Sequence, residues 1–283
     1  MVKLIKNKVK SLELINQISR QFKAASIKTY YLDTLIILET ILQTDRATLL
    51  SNKILRLSNK QIKLLNKYIS ERLTNRPISQ IVQYTEFYGH RFYINNHVMK
   101  PRPESESFID LVVNLIKRSS ELKSINDMSL LDLGTGSGAL AISTKLAMPN
   151  INILASDISL KALRVAKINA ALHTTDIKLF HSDLLKSIPL IPTILIANLP
   201  YIPLMVPIDK STSFEPKLSI FGGPDGLYYY RKLFKEMHKY NIYPLYILIE
   251  GLIISHSKLI ELAGTYQYRL IKQNGLVLLF MKN

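Results

Sequence analysis

Apolar residues recur at helical spacing up to about residue 75. The segment "TYYLDTLIILETILQ" is expected to form one broad apolar helical face, to which we assign Leu32, Leu35, Ile36, Leu38, Glu39 and Leu42. The segment "SNKQIKLLNKYISERL" begins with Ser58, which can cap a helix, and repeats apolar residues at the same spacing as far as Leu73. The pattern predicts a small helical bundle over residues 1–75.

The pattern changes after residue 75 to β-rich, aromatic sequence that is followed by prolines at 101 and 103. The stretch "RPISQIVQYTEFYGHRFYINNHVMKPRPESE" predicts a short hairpin and then a stiff connector, because proline restricts both its own backbone and the residue before it. We therefore divide the chain into an N-terminal helical domain (1–75), a hairpin and proline connector (76–105) and a third domain (106–283).

Short apolar runs alternate with helical segments in the third domain. The runs are "SLLDLG", "INILASD", "IKLF", "TILIAN", "LYILIE" and the two halves of "YRLIKQNGLVLLF", and the helices are expected near 138–147, 159–171, 227–239 and 255–263. Such alternation predicts an α/β fold with a mostly parallel sheet and helices on both faces. Asn274 and Gly275 mark a tight hairpin, so the last two strands should be antiparallel.

Composition and charge narrow the class of protein. The chain has 283 residues, 47% of them hydrophobic, and no cysteine, which is consistent with folded domains in a reducing compartment and predicts a cytoplasmic location. The net charge is +16, and residues 1–76 hold 15 basic and 5 acidic residues, a local charge of +10. Solvated helix faces and a surface for an acidic partner or RNA both explain this excess.

The uncharged stretch 187–208 is long enough to span a bilayer, but it contains five prolines, at 189, 192, 200, 203 and 207. Prolines remove backbone donors and break a spanning helix, so we interpret the stretch as a buried strand followed by an extended loop. The N-terminal segment "MVKLIKNKVKSLELIN" lacks the continuous apolar core and cleavage site of a secretory signal. No membrane association is predicted.

A glycine-rich turn, "LLDLGTGSGALAIS", follows the first strand of the sheet, where a doubly wound sheet binds its ligand. The turn is expected to contact a cofactor through Gly134, Thr135, Gly136, Ser137 and Gly138. The spacing of its small residues also fits a nicotinamide dinucleotide site. Asp132 before the turn and Asp157 at the end of the second strand favour S-adenosylmethionine instead.

Two further aspartates follow strands. Asp157 comes 23 residues after Gly134, where a carboxylate can bind both ribose hydroxyls; a helix N-cap is the alternative. Asp183 and Leu184 in "HSDLL" should lie beside an adenine ring, although Asp183 could equally be a turn residue.

The motif "ANLPY" ends the fourth strand and carries the predicted chemistry. A planar amide or exocyclic amine nitrogen is a poor nucleophile, and carbonyl groups that accept its N–H bonds can orient it and stabilise its developing positive charge. Asn198 supplies a side-chain carbonyl, Leu199 supplies a backbone carbonyl before Pro200, and Tyr201 supplies a flat face for stacking. A turn with an Asn cap and a core tyrosine is the alternative.

These motifs together resemble the PrmC/HemK family of protein-(glutamine-N5) methyltransferases, which act on peptide chain release factors. The likeness rests on "RPISQIVQYTEFYG", "KPRPESE", "DLGTGSG", "ASDIS", "HSDLL" and above all "FEPKLSIFGGPDGLYYYRKL". It implies a Rossmann-like class I S-adenosylmethionine-dependent methyltransferase fold with a seven-stranded sheet. It also implies that residues 134–138, Asp157, Leu184 and Asn198 contact S-adenosylmethionine and that residues 198–201 hold a glutamine of the release factor.

Leu199 departs from the family's usual N-P-P-Y, and N-L-P-Y also occurs in ribosomal RNA adenine-N6 dimethyltransferases. An adenine-N6 methyltransferase that acts on rRNA or DNA is therefore the alternative function, and a catalytically silent binding module is a third. The N-terminal position of the helical domain and the "FEPKL" block favour a protein substrate.

Other motifs contribute less. The six histidines show no metal-ligand spacing, so no metal site is predicted. Gly222, Gly223 and Gly226 are expected to shape a loop over the pocket, or a simple turn. The tyrosines at 228–230 straddle a helix start, where core packing is favoured over base stacking.

Overall fold

The computed structural model describes residues 5–208 and 212–283, so the first four residues of the N-terminal segment lie outside the described part of the chain. The chain divides into two compact units. One comprises Met1–Tyr84 and Asp209–Phe214, and the other comprises Thr85–Ile208 and Glu215–Asn283. Most of the proline connector therefore belongs to the second unit.

The first unit is helical, as the sequence predicts. Its helices are α1 (Ser11–Ala24), α2 (Tyr30–Leu42), α3 (Arg46–Leu50), α4 (Asn59–Leu73) and α5 (Ile78–Val82). Ser58 caps α4 through a capping box with Gln61, in which each side chain binds the other residue's backbone N–H. A small antiparallel sheet of β1 (Lys8–Lys10) and β2 (Ile54–Arg56), which the sequence analysis did not predict, completes the unit.

The buried face of α2 differs from the predicted one. Leu35 and Leu38 are buried as expected, but Leu32 is 44% exposed and Ile37 and Ile41 are buried instead. Helix α2 is apolar on nearly every side, so the spacing of apolar residues alone does not define which side faces the core.

A hairpin of β3 (Tyr84–Phe87) and β4 (His90–Tyr93) lies at the start of the second unit, apart from its first residue, Tyr84. Its two turn residues, Tyr88 and Gly89, have φ angles of 49° and 73°, as a type I′ turn requires. A short 3₁₀ turn, Pro103–Glu106, then leads into α6 (Ser107–Arg118) and α7 (Ser120–Lys123). The predicted hairpin is present.

A seven-stranded sheet forms the centre of this unit and confirms the predicted α/β fold. The strands are β5 (Ser129–Leu133), β6 (Asn152–Asp157), β7 (Lys178–His181), β8 (Ile194–Ala197), β9 (Tyr246–Glu250), β10 (Tyr268–Asn274) and β11 (Val277–Lys282). They lie in the order β10-β11-β9-β8-β5-β6-β7, and β11 is antiparallel to both of its neighbours. The crossover helices are α8 (Ala139–Ala147), α9 (Leu160–Leu172), α10 (Tyr228–Tyr240) and α11 (His256–Thr265).

Alternate residues of the central strands pack against opposite faces of the sheet. Leu130 belongs to the core that includes α6 and α8, whereas Leu131 belongs to the core that includes α10 and α11. The chain leaves β5 towards β6 on one side and returns to β8 on the other side. Ligands bind at such a switch point, outside the carboxyl ends of the strands.

The stretch at 187–208 and the final hairpin both have the predicted kind of structure. Strand β8 is fully buried and an extended segment with an isolated bridge at Ile202 follows it, as expected for residues 187–208. The final hairpin is also present, but Asn274 pairs with Val277, so its turn residues are Gly275 and Leu276. In the described ranges, no helix is both long and apolar enough to cross a membrane.

Candidate active site

A cavity of about 380 Å³ opens at the carboxyl ends of β5, β6 and β8. Ten predicted site residues line it: Gly134, Thr135, Gly136, Ser137, Asp157, Asp183, Leu184, Asn198, Leu199 and Pro200. Gly138 and Tyr201, the other two, are adjacent in sequence to this lining. The structure therefore brings the two halves of the predicted site together.

The glycine turn is held from below by Asp132. Its Oδ2 accepts hydrogen bonds from the Thr135 hydroxyl at 2.6 Å and from the backbone N–H of Ala141 at 3.2 Å. Burial raises the pKa of Asp132 to about 7, because a buried carboxylate loses its hydration. Gly136 has a φ of +56°, and no atom lies within 4 Å of the point where a Cβ would stand, so a ligand can approach its backbone.

Both carboxylate oxygens of Asp157 accept backbone hydrogen bonds. Oδ2 accepts from the N–H of Gly136 at 2.9 Å, and Oδ1 accepts from the N–H of Ser159 at 2.8 Å. Burial raises the pKa of this carboxyl group, whereas these hydrogen bonds oppose the change. The N-cap of α9 is Ser159 and not Asp157, and the glycine turn holds Asp157 at the edge of the cavity.

Asp183 lies between two lysines in the cavity wall. Lys186 and Lys232 donate hydrogen bonds to its carboxylate at 2.6 and 2.7 Å, and both lower its pKa. The neighbouring Leu184 has a φ of +50°, an uncommon conformation for a leucine, and its carbonyl accepts a hydrogen bond from the Ser182 hydroxyl. Its apolar side chain belongs to the cavity lining.

The side chain of Asn198 is oriented by its hydrogen bonds. Nδ2 donates to the hydroxyl of Ser105 at 2.9 Å and lies 3.3 Å from Oε2 of Glu250. The carbonyl Oδ1 has no hydrogen-bond donor within the described residues. Because Asn198 lines the cavity, the arrangement leaves its acceptor group for a ligand.

Glu250 is a site residue that the sequence analysis missed. It is 1% exposed, and it accepts hydrogen bonds from the hydroxyls of Ser105 and Tyr201, each at 2.7 Å. Burial raises its pKa, and the hydrogen bonds oppose this effect. A signal was present, because Glu250 is the one charged residue at the end of the apolar run "LYILIE", on a strand next to that of Asn198.

Tyr201 and Tyr230 hold the strand ends near Asn198. The Tyr201 ring packs against the α10 side of the core while its hydroxyl binds Glu250, and burial raises the pKa of this hydroxyl. Of the three tyrosines predicted to pack in the core, Tyr230 is buried but Tyr228 is 54% exposed, so that prediction is wrong for Tyr228. The Tyr230 hydroxyl donates to the carbonyl of Glu250, with the carbonyl of Ala197 3.3 Å away. The stacking role of Tyr201 stays a prediction.

The glycine loop at 220–226 packs against the backbone of residues 200–204. A Cβ on Gly222 would lie 2.4 Å from the carbonyl oxygen of Pro200, and one on Gly226 would lie 2.3 Å from that of Tyr201. Hydrogen bonds between Ile202 and the loop fix this contact. These glycines are therefore needed for close backbone packing behind the cavity wall.

The connector contributes residues that the sequence analysis did not assign to the site. The cavity lining includes Phe87, His97, Val98, Met99, Pro101, Arg102 and Ser105. Arg102 of "KPRPESE" forms an ion pair of 2.8 Å with the buried Glu215 of "FEPKL". From α10 and the preceding loop, the lining also includes Pro216, Leu218, Ser219, Tyr228, Tyr229 and Lys232.

In the described part of the chain, no group of three or more His, Cys, Asp or Glu side chains could hold a metal ion.

Comparison with known proteins identifies the family. Residues 13–82 match the PrmC N-terminal domain and residues 109–202 match the methyltransferase small domain. A release factor glutamine methyltransferase of Bacillus anthracis is 32% identical over 212 residues, covering 71% of this chain and 72% of that protein. The chain belongs to the release factor glutamine methyltransferase family.

Other relatives agree with this membership and confirm the resemblance predicted from the motifs. A release factor glutamine methyltransferase of Coxiella burnetii is 30% identical and covers 91% of each chain. Among solved structures, the hMettl16 catalytic domain in complex with a MAT2A 3'UTR hairpin has a TM-score of 0.53 at 13% identity and covers 83% of this chain and 86% of that one. At that identity, the likeness shows the fold alone.

Leu199 is the position at which the sequence departs from the motif expected from the resemblance. The Leu199 side chain is 5% exposed, and its Cδ2 would lie 3.1 Å from a Cβ on Gly134. The leucine side chain thus packs directly on Gly134, the first glycine of the glycine turn. Its apolar atoms fill the space beside that glycine.

Proposed function

We propose that this protein transfers a methyl group from S-adenosylmethionine to the side-chain amide nitrogen of the glutamine in the Gly-Gly-Gln loop of peptide chain release factors. Membership of the family supports the reaction class. The observation that carries the proposal is the orientation of Asn198, whose amide nitrogen is bound within the protein while its carbonyl oxygen remains for a ligand.

The residues around the cavity fit S-adenosylmethionine, and the accessible backbone at Gly136 supports this assignment. Residues 134–138 would contact the ligand through the backbone, Asp157 would accept hydrogen bonds from the ribose hydroxyls, and Leu184 and Asp183 would border the adenine ring. Asn198 adjoins the same ligand. When bound, the cofactor supplies an electrophilic methyl group on a sulfonium centre.

The segment 198–201 orients the substrate amide. Its two N–H bonds are accepted by Oδ1 of Asn198 and by the backbone carbonyl of Leu199, which the following Pro200 holds in an extended conformation. These carbonyls would stabilise the positive charge that the nitrogen acquires as it forms the new bond to the methyl carbon, while the bond from that carbon to sulfur breaks and S-adenosylhomocysteine leaves. Tyr201 offers a face for the planar amide. The nitrogen then releases a proton to solvent, so the reaction needs no general base.

The substrate is a protein partner. The N-terminal unit carries most of the excess positive charge, and its basic face would meet an acidic surface of the release factor. Because release factors act in translation, we place the protein in the cytoplasm.

Incubation with labelled S-adenosylmethionine tests the proposal, with purified release factor and ribosomal RNA as competing substrates. We expect label on the release factor and its loss when the loop glutamine is replaced by alanine. Label on RNA alone would instead support adenine-N6 transfer, and no label on either substrate would support a silent binding module.

Replacing Asn198 with alanine tests the role of the motif. We expect the turnover number to fall by about 100-fold or more, because an acceptor of the developing charge is lost. Binding of S-adenosylhomocysteine, measured by calorimetry, should remain largely intact. A variant that keeps its activity would show that the chemistry lies elsewhere.

A further inference from the structure

A chain of hydrogen bonds runs from Glu250 through Ser105 to Asn198. We propose that Ser105 and Glu250 are positioning residues that fix the Asn198 amide with its nitrogen inward and its carbonyl oxygen towards the cavity. This inference rests on the proposed function, in which that oxygen orients the substrate amide, and it assigns a role to two residues outside the motif.

The donor and acceptor groups of Glu250, Ser105 and Asn198 fix the direction of each hydrogen bond between them. Glu250 accepts hydrogen bonds from Ser105, Asn198 and Tyr201, and the single proton of the Ser105 hydroxyl is directed to its Oε2 at 2.7 Å. The Ser105 oxygen then has only lone pairs left for Asn198, and it accepts from Nδ2 at 2.9 Å. Glu250 thereby determines the amide orientation both directly and through Ser105.

The reversed amide would be unfavourable. It would place the carbonyl oxygen of Asn198 against the lone pairs of Ser105 and the carboxylate of Glu250. Ser105 is 2% exposed and Glu250 is 1% exposed, so water cannot relieve that repulsion. The reversed amide would also present N–H groups to a substrate that itself offers N–H groups.

The sheet brings the participants together. Strands β8 and β9 are parallel, and Ala197 is in register with Ile249, so the residues that follow them, Asn198 and Glu250, lie side by side. Tyr230 binds the carbonyls of both strand ends. The hydroxyl of Tyr201 binds Oε1 of Glu250, the oxygen that Ser105 does not use, so the carboxylate is held at both ends.

Packing alone does not account for Glu250. The other residues of β9 are buried and apolar, and an apolar residue at its last position would avoid the desolvation of a carboxylate. Its three donors are the residues that adjoin or form the proposed substrate site, which is where a fixed orientation is needed.

Two substitutions of equal volume at Ser105 separate orientation from packing. Ser105→Thr keeps the hydroxyl, and Ser105→Val replaces it with a methyl group. We expect the turnover number of Ser105→Val to be at least about tenfold below that of Ser105→Thr, with the two proteins binding S-adenosylhomocysteine equally. Equal turnover of the two variants would overturn the proposal. Ser105→Ala serves as the second hydroxyl-free variant if Ser105→Val does not fold.

A spectroscopic measurement tests the orientation without any substrate. The side-chain NH2 signals of Asn198 in ¹⁵N-labelled protein are assigned as the pair that disappears in Asn198→Ala. We expect this pair to exchange slowly with water in the wild type and in Ser105→Thr, and faster in Ser105→Val. Identical exchange in all three proteins would overturn the proposal, whether or not the wild type methylates a release factor. A wild type that methylates no release factor but shows the expected exchange would contradict the proposed function alone.

Discussion

At the scale of single residues, the aspartates of the second unit differ in the way their surroundings set the pKa. Asp132 and Asp157 are desolvated, and burial raises the pKa of each. Asp225 is a half-buried partner of Arg231, whose hydrogen bonds lower its pKa to about 2. The two kinds of carboxyl group should therefore contribute to stability with opposite dependence on pH.

The buried Asp132 should make the protein less stable as the pH rises. The pKa of Asp132 is about 7 in the folded protein and 3.8 in the unfolded chain, so the folded state binds more protons between these two pH values. This contribution is complete below pH 3.8 and is lost above pH 7. As the pH rises from 5 to 8, we expect the free energy of unfolding of Asp132→Asn to increase by about 3 kcal/mol relative to that of the wild type.

Urea unfolding of Asp132→Asn and the wild type across this range measures the effect. Asp225→Asn is the matched control, because Asp225 is ionised in both the folded and the unfolded state from pH 5 to 8. Its difference from the wild type should be constant there. A constant difference for Asp132→Asn as well would show that this carboxyl group titrates normally.

The sequence predicted those candidate site residues that lie close to a strand end, and it did not predict those that reach the site from distant parts of the chain. The glycine turn and Asn198 directly follow their strands and Asp157 ends its strand, so strand position predicts their place. Ser105 and Glu250 contact Asn198 from 93 and 52 residues away. Their contact depends on strand register and on the folded path of the connector, which no local pattern reveals.

At the scale of elements, the position of the proposed catalytic segment, residues 198–201, depends on the glycine loop at 220–226. The N–H of Ile202 binds the carbonyl of Ile220, and the N–H of Gly222 binds the carbonyl of Ile202. A side chain at Gly226 would meet the carbonyl of Tyr201. The position of residues 200–204 is therefore set by a loop that does not itself line the cavity.

Gly226→Ala should displace this segment. Its φ of +80° disfavours alanine by about 1–2 kcal/mol, and the contact of 2.3 Å with the Tyr201 carbonyl adds to that effect. We expect a greater loss of stability than in Gly275→Ala, together with a lower turnover number. Gly275 has a φ of +58° and no atom within 4 Å of a Cβ, so it isolates the backbone effect.

Thermal unfolding and methyl transfer by both variants provide the measurement. Gly275→Ala should be less stable than the wild type but should turn over at the wild-type rate. Equal behaviour of the two variants would mean that the loop tolerates the side chain and does not position the catalytic segment.

The sequence predicted the kind and order of the elements better than their orientation. Strands β5 to β9 form short apolar runs, and the final hairpin was predicted with its turn displaced by one residue. The prediction of which face of α2 is buried was partly wrong, because that helix has apolar residues on nearly every side. Orientation depends on neighbouring elements, whereas periodicity is a local property.

At the scale of the whole molecule, positive charge is concentrated in the N-terminal unit. Residues 1–76 carry +10 of the total +16. On α4, Lys60 and Lys63 are exposed on the same side of the helix. Charges of this kind accelerate association with an acidic partner more than they affect chemistry.

Reversal of these charges should weaken recognition of the release factor. We expect Lys60→Glu with Lys63→Glu to raise KM for the release factor roughly tenfold at low salt and to leave the turnover number unchanged. The difference should shrink as salt is added. Steady-state kinetics at two ionic strengths measures both effects.

The same charge change in the second unit is the control. Lys258 and Lys272 are exposed there, and Lys258→Glu with Lys272→Glu should leave KM near the wild-type value. If both double variants raise KM equally, net charge and not the α4 surface attracts the substrate.

Because both amide hydrogens of Asn198 are directed into the protein, the groups proposed to hold the substrate amide, Oδ1 of Asn198 and the carbonyl of Leu199, are acceptors only. A glutamate in place of the glutamine would bring its own lone pairs and negative charge against these two carbonyls, neither of which can donate a hydrogen bond to it. The enzyme would thus reject a release factor whose essential glutamine had been deamidated, and methylation would mark only intact copies.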